Sequence, residues 1–187
     1  AAAEVGTTVY GGDQLSTEQA GTVQIRAGAA RLLLSGASSV SINDAQGAPS
    51  ARLVSGTATF STGNAQAFTL YASKAAIRAG SDAPTIGQVT YLNENELIVH
   101  STRGGLAVTV DGETQMIPDG TSYRVLLDPP ADMSQGPEGA GSGQKTTGRG
   151  GPPLRAGRSR FLIIAISVAA GVTAFAIYKA LESPDRP

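Results

Sequence analysis

Residues 161–178, FLIIAISVAAGVTAFAIY, form an uncharged run of eighteen residues without proline. Only Ser167, Thr173 and Tyr178 bring polar groups into it. As a helix the run spans ~27 Å, close to the ~30 Å hydrocarbon core of a bilayer. Lys179 can snorkel to the headgroups, which carries the segment on to Leu181. In lipid every backbone amide must be satisfied within the segment, and a helix does that. The sequence therefore predicts a transmembrane α-helix over 161–181 and a short tail over 182–187. A buried core helix is the competing reading. The basic, Pro/Gly-rich stretch before the run and the short stretch after it argue for the membrane. Ser167 and Gly171 sit four apart, as do Ala170 and Ala174. Small residues at that spacing let helices approach closely and would support a homo-oligomer, against a plain reading as ordinary small-residue content.

Charge divides the rest of the chain. Residues 1–128 hold seven Lys/Arg and eleven Asp/Glu, and residues 129–160 hold five and two. An acidic front on a basic neck argues against nucleic acid as a partner. The neck also holds eight Gly and five Pro among thirty-two residues and shows no apolar period, so 129–160 reads as a flexible linker. Its basic residues Lys145, Arg149, Arg155, Arg158 and Arg160 suit an anionic lipid surface. By the positive-inside rule they would place the neck, and the β-domain joined to it, in the cytoplasm, a bias that an upstream signal peptide would override. The chain opens on Ala1-Ala2-Ala3, which suits the small-residue side of a signal-peptidase cut.

Residues 5–128 repeat one grammar: short Val, Ile, Leu, Thr and Tyr runs broken by Gly, Asn, Asp and Ser. The runs cover 7–10, 22–26, 30–34, 40–42, 51–60, 67–72, 75–79, 88–92, 96–101, 106–110, 114–117 and 122–127. Spacing of this kind marks an all-β domain over 1–128. Period-2 alternation is plain in 22–26, where Val23 and Ile25 face one way and Thr22, Gln24 and Arg26 the other. Asp111-Gly112, between LAVTV and ETQMI, predicts a two-residue type I′ hairpin. Pro118-Asp119-Gly120 predicts the next turn. Residues 67–78 are ambiguous: their alanines allow a helix, while Thr69 and Tyr71 favour strands.

Reactive constellations are sparse. Cysteine is absent, so neither a disulfide nor a thiolate metal site can form. His100 is the single histidine and reads as a surface or capped residue. Glu94 and Glu96 could suggest paired carboxylates but read as a solvated turn. No P-loop, Gly-x-Ser-x-Gly elbow or His-Glu pair occurs. The expectation is a non-enzyme with no cofactor and no metal.

Several segments together resemble the FecR family of bacterial cell-surface signalling and envelope proteins. VGTTVYGGDQLSTEQAGTVQIR resembles the family's opening, with Gly12-Asp13 and then Thr17. ARLLLSGASSVSI resembles the strand pair that follows. ARLVSGTATF resembles its L-x-x-G-x-x-x-F element, carried by Leu53, Gly56 and Phe60. Ala67-Phe68 stands where the family has Pro-Phe. ELIVHSTRGGLAVTVDGETQMIPDGTSYRV resembles the closing strands, with Gly105 and Gly120 at turns. The resemblance spans 5–127 and implies a β-solenoid-like or sandwich-like domain of short stacked strands outside the cytoplasmic membrane. Well-known members relay siderophore signals to a sigma factor through a cytoplasmic helical part, a membrane helix and then the β-domain. Here the apolar run follows the β-domain, and Ala79-Gly80-Ser81 stands where the family has Gly-Thr-x-Phe.

The expected function is a non-catalytic binding, scaffold or envelope-assembly module, anchored in the bacterial cytoplasmic membrane by a single pass, with the β-domain on the periplasmic side. Its partners would be the bilayer and a protein or envelope polymer. The alternative is a sensor or regulator in sigma/anti-sigma signalling. An enzyme built on a β-solenoid is a third reading, and it requires convergent acidic or basic side chains in a cleft.

Overall fold

The computed structural model describes residues 4–43, 48–128 and 161–166. The stretch 129–160, expected as a linker, and residues 167–187 lie outside it, and so do Ser167, Ala170, Gly171 and Ala174. The described residues are all-β, with thirteen strands and no helix. In chain order these are β1 (Gln14–Ser16), β2 (Val23–Ala27), β3 (Ala30–Leu34), β4 (Ser39–Asn43), β5 (Ser50–Thr62), β6 (Thr69–Ala72) and β7 (Ala75–Ala79). They continue as β8 (Thr85–Asn93), β9 (Glu96–Arg103), β10 (Leu106–Val110), β11 (Glu113–Ile117), β12 (Ser122–Leu126) and β13 (Leu162–Ile166).

All of them belong to one sheet, curled into a half-barrel around β5. The N-terminal part of β5 lies between β4, antiparallel, and β6, parallel. Its C-terminal part lies between β3 and β8, both antiparallel. One half of the sheet therefore runs β1-β4-β5-β6-β7-β10-β11, and the other runs β2-β3-β5-β8-β9-β12-β13.

Gly56 sits where β5 passes from one half to the other, with φ at +80°. An added Cβ there would lie 2.3 Å from Ser38 Oγ and 2.6 Å from Ala37 O and Ser38 Cα. Only glycine meets both demands, a left-handed backbone and backbone contact at close range. Ser38 locks the corner. Its Oγ accepts from Thr57 N at 2.8 Å and contacts Thr57 O at 3.1 Å. The facing strand shifts register between Ser39 and Val40, the local irregularity that lets a strand bend.

Alternation builds the core. Ala30, Leu32 and Leu34 on β3, Ala75 and Ile77 on β7, Leu97 and Val99 on β9, and Leu106, Val108 and Val110 on β10 are all buried in one cluster. Each large aliphatic side chain so buried contributes about 1.5–3 kcal/mol. Phe60 and Phe68 meet at 5.8 Å between ring centroids, tilted by 42°. The two halves touch at Gly87 of β8, where a Cβ would lie 2.8 Å from Leu106 Cδ2 and 3.0 Å from Phe60 Cε1. Absence of a side chain at Gly87 is what lets Leu106 settle onto the opposite half.

The turns follow the local chemistry. Asp111 and Gly112 have φ of 50° and 84°, and Val110 pairs with Glu113, as a I′ hairpin requires. Thr121 Oγ1 donates to Pro118 O at 2.6 Å across the Pro118–Gly120 turn. The ambiguous stretch 67–78 is a hairpin of β6 and β7, with Ala72 facing Ala75.

Three expectations change. The strands do not stack as solenoid coils: neighbours are antiparallel except for β5 with β6, and the sheet curls around one core. Residues 7–10 form no strand, and Tyr10 is largely exposed; a three-residue strand, Gln14–Ser16, lies against β4 instead. Residues 161–166, expected as the start of a helix, are extended. Phe161 is fully buried in the core cluster and Leu162–Ile166 pair with β12. Three of those six residues are Ile, whose branched side chains suit a pleated surface. Among the described residues no helix is long and apolar enough to cross a membrane.

Gly56→Ala is expected to cost about 2–4 kcal/mol, because backbone strain and a backbone clash add. Gly87→Ala is expected to cost about 1–3 kcal/mol, since mobile side-chain ends can yield. Urea unfolding midpoints of the two variants check the order, and a milder loss for Gly56→Ala would refute the corner.

Candidate interaction surface

The half of the sheet containing β1 and β11 presents a mainly polar outward face. Registers align one residue from each of its seven strands: Gln14, Ser41, Arg52, Tyr71, Ala76, Thr109 and Thr114. At the usual strand spacing this row is ~29 Å long. Its members are small or polar apart from Arg52 and Tyr71. The hydroxyls of Thr109 and Thr114 lie 2.8 Å apart. The next row places Asn43 beside Ser50 and Ser50 beside Thr69.

Where the two rows meet, Asn43, Ala48, Ser50, Arg52, Thr69 and Tyr71 line an open depression of about 580 Å³. The alternation of β5 explains it. Ala51 and Leu53 turn into the core, so Arg52 between them must turn out. The guanidinium carbon of Arg52 lies 5.5 Å from the Tyr71 ring centroid, a cation–π distance. Arg52 Nη1 donates to Ser73 O at 3.1 Å. Both contacts hold the planar fork in place, so the floor of the depression offers a fixed cation on an aromatic ring among hydroxyls and one amide. Such a surface suits a polar ligand carrying an anionic or sugar-like group.

Those residues singled out from the sequence that the structure describes fall at turns, at the β5 corner or in the core. Gly12, at φ +97°, donates its N–H to Ile42 O at 2.8 Å, and Asp13 Oδ2 accepts from Tyr10 N at 2.8 Å. Together they turn the chain into β1. Thr17 Oγ1 accepts from Ser38 N at 3.0 Å and so ties this opening to the corner. Leu53 and Phe60 are core residues, and Gly56 is the corner itself. At the closing strands Gly120 has φ +69°. In the Gly104-Gly105 pair the positive φ falls on Gly104, while the Gly105 carbonyl accepts from Gly80 N at 2.8 Å. Arg52 and Tyr71 were not singled out. Their juxtaposition needs the parallel β5–β6 pairing, which no local sequence signal announces.

Glu94 and Glu96 do not converge. The Glu94 carbonyl accepts from Ser73 Oγ, while the Glu96 carboxylate pairs with Arg124 from β12. Arg124 holds the Glu96 carboxyl below its ordinary range, chiefly through the hydrogen bond, and Glu96 raises the guanidinium in turn. His100 Nδ1 lies 2.6 Å from Ser122 Oγ, across the β9–β12 pair. Among the described residues no group of three or more His, Cys, Asp or Glu could hold a metal.

Because the folded pKa of Glu96 is depressed, its pairing stabilises the domain above the unfolded carboxyl value, ~4.3, and is lost as pH falls through the lower folded value. Arg124→Ala is expected to move the Glu96 titration up towards that ordinary value. An NMR titration of the side-chain carboxyl checks it, and an unmoved midpoint would refute the pairing.

No protein family model and no curated protein matches the chain. Solved structures similar to it include two crystal structures of a protein from Parabacteroides distasonis ATCC 8503, described as a "putative anti-sigma factor". Each aligns with a TM-score of 0.51 at 12% identity, over 61% of this chain and 55% of that one. The chain thus spans about half the length of those structures. At this identity, what the two proteins share is the fold.

Proposed function

We propose that this chain is a non-catalytic, membrane-anchored module whose curled β-domain lies outside the bacterial cytoplasmic membrane and binds a protein or an envelope polymer. The observation that carries the reading is the seven-strand polar row centred on Arg52 and Tyr71. A long surface of hydroxyls with one fixed cation can hold an extended partner through many weak contacts. Anchoring is supported by the apolar run that begins at Phe161 and by the basic residues ahead of it. The domain itself is acidic, so the same lipid surface would repel it while attracting the basic stretch.

A second reading, a regulator in sigma/anti-sigma signalling, is favoured by the shared fold with the Parabacteroides protein. It requires a cytoplasmic sigma-binding part upstream of Ala1 or on another protein. A helical segment encoded before Ala1 would support this reading, and a plain signal peptide there would count against it.

Protease added to intact spheroplasts is expected to remove the β-domain, and protection of the domain would place it in the cytoplasm. Arg52→Ala combined with Tyr71→Ala is expected to weaken co-sedimentation with purified peptidoglycan sacculi about tenfold, equivalent to ~1.4 kcal/mol. Equal sedimentation of both forms would remove the polymer from the reading and leave a protein partner.

A further inference from the structure

Strand β13 fills a site that the rest of the domain shapes. Its five residues pair in unbroken antiparallel register with β12, from Ser122 facing Ile166 to Leu126 facing Leu162. Just ahead of it Phe161 is fully buried among the core residues. The carbonyl of Phe161 accepts from Gln115 Nε2, on the far edge strand β11, at 3.3 Å. Main-chain pairing, an aromatic side chain in a pocket and a side-chain clamp on its carbonyl are the features of β-strand addition.

The same residues open the apolar run. Without 161–166, the run keeps only the twelve residues 167–178. As a helix these would reach ~18 Å, well short of the ~30 Å hydrocarbon core. Adding residues 179–181 brings the length to ~22 Å, which is still short. The segment therefore cannot serve as β13 and as the first turns of a membrane-spanning helix at once.

We propose that the β12 edge with its aromatic pocket is a strand-acceptor site for an extended apolar segment led by an aromatic residue. It is filled in this structure by the chain's own residues 161–166 and vacated when those residues enter a bilayer. This rests on the anchored reading above. Thirty-two residues separate Asp128 from Phe161 in the sequence. A vacated edge exposes the unpaired amides and carbonyls of β12 and an empty aromatic pocket, so it selects another extended apolar strand rather than a helix or a polar loop.

The chain has no cysteine, so one introduced pair gives an unambiguous reading. Arg124 and Ile164 face each other and are both exposed. Facing antiparallel residues lie within disulfide reach. The full chain carrying Arg124→Cys and Ile164→Cys is expected to form an intramolecular disulfide in water. After reconstitution into phosphatidylethanolamine–phosphatidylglycerol vesicles it is expected to lose it. A lysine-flanked peptide Phe-Leu-Ile-Cys-Ala-Ile should then crosslink to the full chain carrying Arg124→Cys alone in vesicles but not in water. The same peptide with Ala for Phe should crosslink poorly. Leu126→Cys with Leu162→Cys provides a second pair. Absence of the disulfide in water for both pairs overturns the inference and leaves anchoring untouched, as does a disulfide that joins two chains. A disulfide that persists in chains resisting alkaline carbonate extraction overturns the exclusivity. Extraction by carbonate with the disulfide intact overturns anchoring and the exchange together.

Discussion

The close approach of Gly56 to the Ser38 backbone makes this a curled sheet rather than a flat one. A β-strand as long as β5 would ordinarily carry one set of neighbours along its whole length. Here the bend at Gly56 lets it take β4 and β6 first and β3 and β8 afterwards. The inward side chains of the two segments, Leu53 on one and Phe60 on the other, then serve the same core. The hydroxyl of Ser38 satisfies the Thr57 amide that the bend would otherwise strand. A side chain at position 56 would push the corner open, and the two halves would no longer meet over Gly87.

The outer surface follows from the same alternation. Strands β1, β4, β5 and β10 send Leu or Val inward and Gln, Ser, Arg or Thr outward, so the polar row exists because the core does. Arg52 is its charged centre because β5 has one long residue between two core positions, and Tyr71 lies beside it because β6 runs parallel to β5. β11 and β13 are two of the four edge strands, with β1 and β2, and a hydrogen bond joins Gln115 of β11 to the carbonyl of Phe161 just ahead of β13.

How much was legible in the sequence depended on how local the cause was. Ala30–Leu34, Ala75–Ala79 and Leu106–Val110 emerge with the bounds that alternation and turn residues set, and Asp111-Gly112 turns as its chemistry demands. Strand β1 escaped notice because Gln14–Ser16 offers a single apolar residue, Leu15, and owes its place to β4. The first six residues of the apolar run are extended because β12 offers an open edge and the core offers Phe161 a pocket. Hydrophobicity alone does not distinguish a strand from a helix in such a run. The solenoid expectation yielded to a curled sheet because strand lengths and turns say nothing about which strands become neighbours. The Arg52–Tyr71 pair was hidden for the same reason.

The chain visits the two halves by turns: β2 and β3 on one, β4 on the other, β5 on both, then β6–β7, β8–β9, β10–β11 and β12 in alternation. Neither half can be finished while the other waits, and most pairings join segments far apart in the chain, which makes folding slow. A polypeptide emerging N-terminus first from a ribosome would therefore hold incomplete edges until Ile166 is released. Throughout that interval, a chaperone able to shield an open strand would matter more than one that shelters helices.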